Sequence, residues 1–300
     1  ELDRLLSIGV IRKVDYTLWA APIVVVTKKN GTPRVCADFS TGLNSALELD
    51  RHPLPRPDEI FAKLNGSKIF SQLDLRDAYL QVELTDFSKR LVGINTRRGL
   101  FQYERLPFGV KSAPGIFQKL IDQLIAGLPG VQGYLDDIIV SSSSIADHVS
   151  TLEELFLRIQ DFGMRVQLEK CHFLKPELRF LGHIVSASGI RPDPERSRAL
   201  REMPAPHDVH TLRALLGAIN YYGRFIKQMR EIRDPLDALL RKEKQWEWTD
   251  LQQAAFDKAK SILEEDLCLT HYDPRLPIIV SADASSFGIG ATISHRFPDG

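Results

Sequence analysis

The first forty residues carry the apolar pattern of a short helix followed by two strands. Leucine and isoleucine recur at helical spacing between residues 2 and 8 and predict a short helix there. The β-forming run Pro22 to Lys28 and the segment Pro33 to Asp38 predict a pair of strands. Because Asn30-Gly31 is typical of a tight turn, we expect these strands to form a hairpin in a small β-rich lobe.

Further strands are predicted where β-forming runs are bounded by turn residues. These strands are Lys68 to Leu75, the hairpin arms Leu91 to Thr96 and Leu100 to Arg105, and the arms Val131 to Leu135 and Ile138 to Ser142 around Asp136-Asp137. Each hairpin places antiparallel neighbours in one sheet.

Two long amphipathic helices are predicted between and after these strands. Ser112 caps the first helix in this interpretation, and Pro129-Gly130 ends it. The second helix runs from about His148 to Phe162, with Asp147 as its cap and Gly163 at its end. Helices interleaved with hairpins favour an α+β fold over a doubly wound parallel sheet. The apolar face of the first helix comprises Ile116, Phe117, Leu120, Ile121, Leu124, Ile125 and Leu128.

The rest of the chain is predicted to be mainly helical from the proline-rich segment 203–206 to Pro277, where new strand-like runs begin.

A length of 300 residues with 43% hydrophobic content suits about two globular domains. No apolar stretch approaches the roughly 20 residues needed to cross a bilayer, so we expect a soluble, intracellular protein with no membrane partner. Glu1 at the start and the turn-like last residues suggest cuts within a longer polyprotein.

Charge and cysteine spacing narrow the possible functions. The formal net charge is +0, which argues against a protein coated in positive charge for nucleic acid. Arg224, Lys227, Arg230 and Arg233 nevertheless recur every three residues. This stripe either follows a phosphate backbone or is an ordinary solvated helix face. The three cysteines are far apart without CxxC spacing, which indicates neither a zinc site nor a disulfide framework.

Three carboxylates are the strongest candidates for chemistry. Asp74 ends a predicted strand, and Asp136 and Asp137 lie at the tip of a hairpin with apolar arms. A strand end beside a hairpin tip would bring the three together, and hard divalent cations would relieve their repulsion. The alternative is a plain turn, because the short polar side chain of aspartate favours turns.

Four segments, in order along the chain, resemble motifs of reverse transcriptases. FSQLDLRDAYLQVEL, residues 70 to 84, resembles the first catalytic motif, and LPFGVKSAPGIFQ, residues 106 to 118, resembles the nucleotide-pocket motif. VQGYLDDIIVSS, residues 131 to 142, resembles the metal-binding hairpin. FLGHIVSASGI, residues 180 to 190, resembles the primer-gripping hairpin. The order and spacing are most similar to gypsy-type long-terminal-repeat retrotransposons.

The resemblance implies a right-hand polymerase fold within the α+β class. Fingers and palm would occupy residues 1–190, and a mostly helical thumb and connection would occupy residues 191–270. The first strands of a ribonuclease H-like domain would follow in residues 271–300, where IIVSADASSFGIGATIS resembles the start of that domain. Asp283 would be its first metal carboxylate, or else a simple strand-end residue. With its other acidic ligands beyond Gly300, we predict no ribonuclease H activity.

The resemblance also assigns the metal ligands. Asp74, Asp136 and Asp137 would hold two catalytic Mg²⁺ ions, which Mn²⁺ would be able to replace, and the backbone carbonyl of Leu75 would face one ion. Tyr79 would lie beneath the incoming sugar and clash with a 2′-hydroxyl, thereby selecting deoxynucleotides. Without the motif, Tyr79 would be interpreted as a core tyrosine.

Other residues would bind the nucleotide. Phe108 and Gly109 would line its pocket, with the glycine allowing close approach of the backbone. Arg34 and either Lys28 or Lys29 would meet the triphosphate, and Lys170 resembles a lysine near the pyrophosphate that acts as a general acid. One departure is Ser40, which stands where relatives often carry an arginine.

The function implied by the resemblance is RNA-directed DNA synthesis as part of a retrotransposon Pol polyprotein. The partners would be an RNA or DNA template-primer, deoxynucleoside triphosphates, and the ribonuclease H and integrase parts of the polyprotein. The location would be cytoplasmic, in retroelement particles. Two alternatives stay open: a nucleotidyl cyclase, which also places carboxylates on a strand and hairpin, and a decayed, catalytically silent nucleic-acid-binding remnant.

Overall fold

The structure is a computed structural model that describes most of the chain. The described residues are 1–27, 31, 33–48, 52–225, 229–241, 246–262, 268–285 and 288–298. They form two compact units. The first comprises Glu1–Arg56 and Ser71–Leu174, and the second comprises Pro57–Phe70 and Lys175–Gly300. Asn30, which belongs to a predicted turn, lies outside the described residues.

Helices and strands follow one another much as the apolar pattern predicts. The helices are α1 (Leu2–Ser7), α2 (Leu43–Ala46), α3 (Pro57–Ala62), α4 (Asp86–Lys89), α5 (Ala113–Ile125), α6 (Ile145–Asp161), α7 (Pro194–Arg201), α8 (Val209–Tyr221), α9 (Met229–Asp237) and α10 (Asp250–Ile262). The strands are β1 (Ile11–Val14), β2 (Ala20–Thr27), β3 (Pro33–Ala37), β4 (Ile69–Asp74), β5 (Gly93–Thr96), β6 (Gly99–Tyr103), β7 (Val131–Tyr134), β8 (Asp137–Ser142), β9 (His172–Lys175), β10 (Glu177–Phe180), β11 (His183–Ser186), β12 (Gly189–Pro192), β13 (Ile278–Ser285) and β14 (Gly288–His295). Among the described helices, none has the length and apolar character needed to span a membrane.

A five-stranded sheet forms one part of the first unit, with strand order β1-β6-β5-β2-β3. Strands β2 and β5 pair in parallel, and the other neighbours are antiparallel. Its core includes the buried side chains of Leu5, Phe39, Ile94 and Phe101. The sheet thus carries β3, whose exposed Arg34 is one of the predicted nucleotide contacts.

The second sheet of this unit, with order β7-β8-β4-β9, packs against α5 and α6. Phe117, Ile121 and Leu124 from α5 and Leu155 from α6 have no exposed surface. Burial of each such side chain stabilises the fold by roughly 1.5 to 3 kcal/mol. The two amphipathic helices are therefore held on the sheet that carries Asp74, Asp136 and Asp137.

The structure corrects the predicted ends of these two helices. Ser144, and not Asp147, caps α6, because the Ser144 side chain accepts a hydrogen bond from the backbone N–H of Asp147. Ser112 occupies the cap position of α5, but its side chain makes no capping hydrogen bond. Helix α5 also ends earlier than predicted, at Ile125, because Gly127 adopts a φ of +76° that terminates the helix.

The second unit contains a three-stranded antiparallel sheet, β10-β11-β12. The segment that resembles the primer-gripping hairpin runs from the end of β10 through β11 into β12. The buried ring of His183 packs against Phe61, Tyr221 and Phe225, with ring centroids 5.1, 5.5 and 5.7 Å away. A separate antiparallel pair, β13 and β14, forms the last described part of the chain.

The basic stripe of residues 224 to 233 is only partly helical. Arg224 lies in a 3₁₀ turn ahead of α9, and Lys227 lies outside the described residues. Within α9, Arg230 and Arg233 each pair with the aspartate four residues later, at 3.6 and 3.0 Å. This pairing favours the ordinary solvated helix face.

A buried serine and histidine join β4 to α6 in the first unit. The Oγ atom of Ser71 lies 2.7 Å from Nε2 of His148, and both residues have no exposed surface. The backbone N–H of Leu174 donates to the same hydroxyl at 3.0 Å, which leaves the hydroxyl proton for a neutral imidazole. Burial lowers the pKa of His148, since the charged ring loses its hydration.

We predict that His148 makes the protein less stable in mild acid. Its pKa is lowered in the folded state, so the unfolded chain binds the proton first as pH falls below about 6.5. The free energy of unfolding should then fall by at most about 1.4 kcal/mol per pH unit from this group. His148→Gln should flatten the dependence in denaturant unfolding between about pH 7.5 and 5. His172→Gln, at an exposed position, serves as the control, and equal slopes in both variants would contradict the assignment.

We also predict that Gly133→Ala destabilises the protein. An added Cβ at Gly133 would lie 2.3 Å from Cγ2 of Ile121, so β7 cannot keep its present distance from α5. Overpacking of this kind costs about 1 to 3 kcal/mol. Gly217→Ala in α8 is the matched control, because its Cβ would meet nothing within 4 Å and alanine favours helices. Thermal unfolding should separate the two variants, and an unchanged midpoint for Gly133→Ala would contradict the packing argument.

Candidate active site

A backbone hydrogen bond joins the end of β4 to the tip of the β7–β8 hairpin. The N–H of Leu75 donates to the carbonyl oxygen of Asp136 at 3.1 Å, directly after Asp74 ends the strand. On the other side, the carbonyl oxygen of Asp74 accepts from the N–H of Gln167 at 2.8 Å. These bonds hold the backbone of Asp74 next to the hairpin tip.

The hairpin turns one residue earlier than the sequence predicts. Tyr134 and Asp137 are the last paired residues, so the turn consists of Leu135 and Asp136, and Asp137 begins β8. Leu135 has a φ of +54°. A residue with a Cβ atom pays about 1 to 3 kcal/mol for such a left-handed conformation. Contacts from outside the turn must therefore hold it.

The three carboxylates differ in burial and influence one another. Asp136 is exposed, whereas Asp74 and Asp137 are half-buried. Burial raises the pKa of Asp137, and the nearby charges of Asp136 and Asp74 raise it further. A hydrogen bond from Nε2 of Gln72, 3.1 Å from Oδ1 of Asp137, acts in the opposite direction. The site thus concentrates negative charge in a half-buried position.

Lys170 forms an ion pair with Asp74. Its Nζ lies 3.3 and 3.2 Å from the two carboxylate oxygens of Asp74. Within the described residues, no group of three or more histidine, cysteine or acidic side chains surrounds one cation position. The donor chemistry nevertheless suits a hard divalent cation, because carboxylate oxygens predominate and the Leu75 carbonyl accepts no hydrogen bond from any described residue.

Tyr79 packs against two phenylalanines and is close enough to Asp136 to be influenced by its charge. Its ring centroid is 5.2 Å from Phe108 and 5.1 Å from Phe117. Burial raises the pKa of Tyr79, and the negative charge of Asp136 adds to this effect. The tyrosine is half-buried and packs against the apolar cores of both sheets of the first unit.

Phe108, which packs against Tyr79, also contacts Arg34 of β3. The guanidinium of Arg34 lies 5.2 Å from the centroid of the Phe108 ring, within cation–π distance. Gly109 has a φ of +95°, and a Cβ there would lie 2.9 Å from the carbonyl oxygen of Ala37. Glycine is therefore required at this position by its own backbone and by its neighbour β3.

The remaining predicted residues are Lys28, Lys29, Ser40 and Asp283. Lys28 and Lys29 lie outside the described residues. Ser40 lies in a 3₁₀ turn, where its N–H donates to the side chain of Asp38 at 3.2 Å. A serine side chain supplies no positive charge at this position. Asp283 lies in β13 of the second unit, opposite Gly290 in the strand register.

Two glutamines at the site were not predicted from the sequence. Gln72 donates to Asp137, and Gln118 of α5 is fully buried and bonds to the backbone of Gly133 and of Leu135. One feature of the sequence indicates that Gln118 has a specific partner. It stands three residues before Ile121 on a face that is otherwise apolar, where an unpartnered amide would be costly.

The chain matches two protein-family models. The family model described as reverse transcriptase (RNA-dependent DNA polymerase) matches residues 26–185. A second model, described as an RNase H-like domain found in reverse transcriptase, matches residues 248–300. Members of the reverse transcriptase family generally need divalent metal ions.

Two relatives share much of the sequence. The chain is 48% identical over 236 residues to the uncharacterized protein K02A2.6 of Caenorhabditis elegans. This aligned region covers 78% of this chain and 18% of that protein. It is 33% identical over 304 residues to the retrovirus-related Pol polyprotein from transposon 297 of Drosophila melanogaster, covering 99% of this chain and 28% of the polyprotein. The chain thus spans less than a third of either relative.

A solved structure shares the fold. The foamy viral protease-reverse transcriptase in complex with dsDNA matches with a TM-score of 0.90 and 25% identity, covering 98% of this chain and 62% of that one. This likeness confirms the predicted mixed helix-and-sheet polymerase fold with a ribonuclease H-like part. The chain belongs to the reverse transcriptase (RNA-dependent DNA polymerase) family, and its relatives include retrotransposon Pol polyproteins.

Proposed function

We propose that this chain is the RNA-directed DNA polymerase of a retrotransposon Pol polyprotein and adds deoxynucleotides to a primer 3′ end. The observation that carries the proposal is the bond between Leu75 N–H and the Asp136 carbonyl, which holds the Asp74 strand end against the aspartate hairpin. The family match and the Pol polyprotein relatives support it. The same match favours polymerase over nucleotidyl cyclase chemistry.

Asp74, Asp136 and Asp137, with the carbonyl oxygen of Leu75, are the residues that would hold two Mg²⁺ ions, with Mn²⁺ as a substitute. When bound, the ions supply positive charge that acidifies the primer 3′-hydroxyl and stabilises the departing pyrophosphate. Gln72 orients Asp137 through its hydrogen bond at 3.1 Å. Most of the catalysis would come from this positioning and from charge stabilisation.

The nucleotide would lie along the surface formed by Tyr79, Phe108 and Arg34. Tyr79 beside Asp136 suits a contact with the sugar, and the forked guanidinium of Arg34 suits a triphosphate oxygen. Lys170 would donate a proton to the leaving pyrophosphate, which is supported by the hydrogen bond of its Nζ to Asp74 at 3.2 Å. Lys28 and Lys29 would add charge to the triphosphate site.

The partners in this proposal are an RNA or DNA template-primer and deoxynucleoside triphosphates. The foamy viral relative in the fold comparison is bound to dsDNA. Sequence would be read by base pairing to the template, while the protein contacts the backbone, so binding should weaken as salt rises. We also propose that the ribonuclease H and integrase parts of the polyprotein are partners of this chain. Its proposed location is in cytoplasmic retroelement particles.

The test is extension of a DNA primer on an RNA template by the purified chain, with Mg²⁺ and deoxynucleotides. We expect Asp136→Asn to lower the rate at least about hundredfold while the chain stays folded, because a neutral amide cannot replace the carboxylate. Asp161→Asn, at an exposed residue near the end of α6, should keep the parental rate. Near-normal extension by folded Asp136→Asn would overturn the metal assignment, and no extension by the folded parent would count against the proposed activity.

Tyr79 gives a second test, of sugar selection. Tyr79→Val removes the ring, so we expect incorporation of ribonucleotides relative to deoxynucleotides to rise at least about tenfold, a change of about 1.4 kcal/mol. Tyr79→Phe keeps the ring and should keep the parental ratio. The measurement is kcat/KM for a matched pair of nucleotides. Equal ratios for the valine variant and the parent would remove Tyr79 from the sugar contact.

A further inference from the structure

The strained turn at Leu135 and Asp136 is in polar contact with the neighbouring helix α5. Hairpins with two-residue loops favour glycine or asparagine where φ is positive, and here that position is Leu135 with φ +54°. The local sequence therefore disfavours the turn that carries Asp136. A compensating interaction is needed in the folded protein.

Gln118 of α5 provides this interaction through two hydrogen bonds on the β7 side of the turn. Its Oε1 accepts the N–H of Leu135 at 2.8 Å, and its Nε2 donates to the carbonyl oxygen of Gly133 at 3.1 Å. Gln118 has no exposed surface, so water cannot replace either bond. Leaving such a buried group unpaired costs about 1 to 3 kcal/mol, which is comparable to the strain that the turn carries.

Asp122, one helical turn further along α5, determines which way the Gln118 amide faces. The Nε2 of Gln118 also donates to Oδ1 of Asp122 at 2.8 Å. A carboxylate only accepts hydrogen bonds, so the NH₂ group must face Asp122 and the oxygen must face Leu135. The other oxygen of Asp122 lies 2.6 Å from Nε2 of His52, which holds the carboxylate in place. The amide is thereby oriented before any substrate binds.

We propose that Gln118 is a positioning residue of the active site, which holds Leu135 in the left-handed conformation and so directs the carboxylates of Asp136 and Asp137. This inference rests on the proposed polymerase function. Gln118 touches neither nucleotide nor metal in this role. It acts through the backbone of the turn that Asp136 belongs to.

The test compares Gln118→Met, which nearly keeps the shape of the side chain but lacks the amide oxygen and the NH₂ donor, with Gln123→Met at an exposed position of the same helix. For Gln118→Met we expect kcat of single-nucleotide addition to fall at least about tenfold, with little change in KM. The Mg²⁺ concentration for half-maximal rate should rise several-fold, since misdirected carboxylates bind cations less well. Gln123→Met should match the parent in both quantities.

A rescue variant separates positioning from general stability. Glycine adopts positive φ without strain, so Leu135→Gly in the Gln118→Met background should recover part of kcat and of the Mg²⁺ dependence. A role of Gln118 that does not act through this turn predicts no recovery of kcat or of the Mg²⁺ dependence, because the glycine relieves strain only at residue 135. Asp122→Asn should give a weaker loss of the same kind, since an asparagine permits the Gln118 amide to turn over.

Amide hydrogen exchange at Leu135 tests the inference without any activity. Exchange should be slow in the parent and in Asp136→Asn, and at least about tenfold faster in Gln118→Met. Failure of the parent to extend primers would count against the proposed function and leave this exchange result valid. Unchanged exchange at Leu135 in Gln118→Met, or unchanged kcat and Mg²⁺ dependence in an active enzyme, would overturn the role of Gln118.

Discussion

The hydrogen bond from the N–H of Leu75 to the carbonyl oxygen of Asp136 connects the two parts of the chain from which the candidate site is built. It lies where β4 stops and the β7–β8 hairpin turns, so it sets the distance between Asp74 and the hairpin aspartates. Much of the first unit supports this contact. The sheet β7-β8-β4-β9 presents the strand end and the turn at the same edge, and α5 and α6 cover it.

Close packing between α5 and the hairpin makes this arrangement specific. Gly133 lets β7 approach Ile121 so closely that no larger residue fits. The same approach brings Gln118 within hydrogen-bond distance of the turn. The site therefore joins an apolar contact, which is insensitive to direction, to hydrogen bonds that fix direction. The apolar contact supplies most of the free energy that stabilises this packing, and the hydrogen bonds select a single turn geometry.

Three carboxylates near one another oppose folding unless their charge is balanced. Burial and the charges of its neighbours raise the pKa of Asp137, and Lys170 and Gln72 offset part of that effect. The hairpin turn at the same site is also strained, because Leu135 adopts a positive φ that glycine adopts more readily. Strain and repulsion concentrated at one site are expected where function, and not stability, selects the residues.

The sequence by itself determined the order of helices and strands, the residues of the four motifs, and hence the family. These depend on periodicity and residue type over short stretches, which a single chain displays directly. Only the tertiary structure decided that the turn consists of Leu135 and Asp136, that Lys170 pairs with Asp74, and that Gln118 orients the turn. The members of these pairs are 96 and 17 residues apart in the sequence. Their meeting depends on how sheets and helices pack, and no local pattern contains that information.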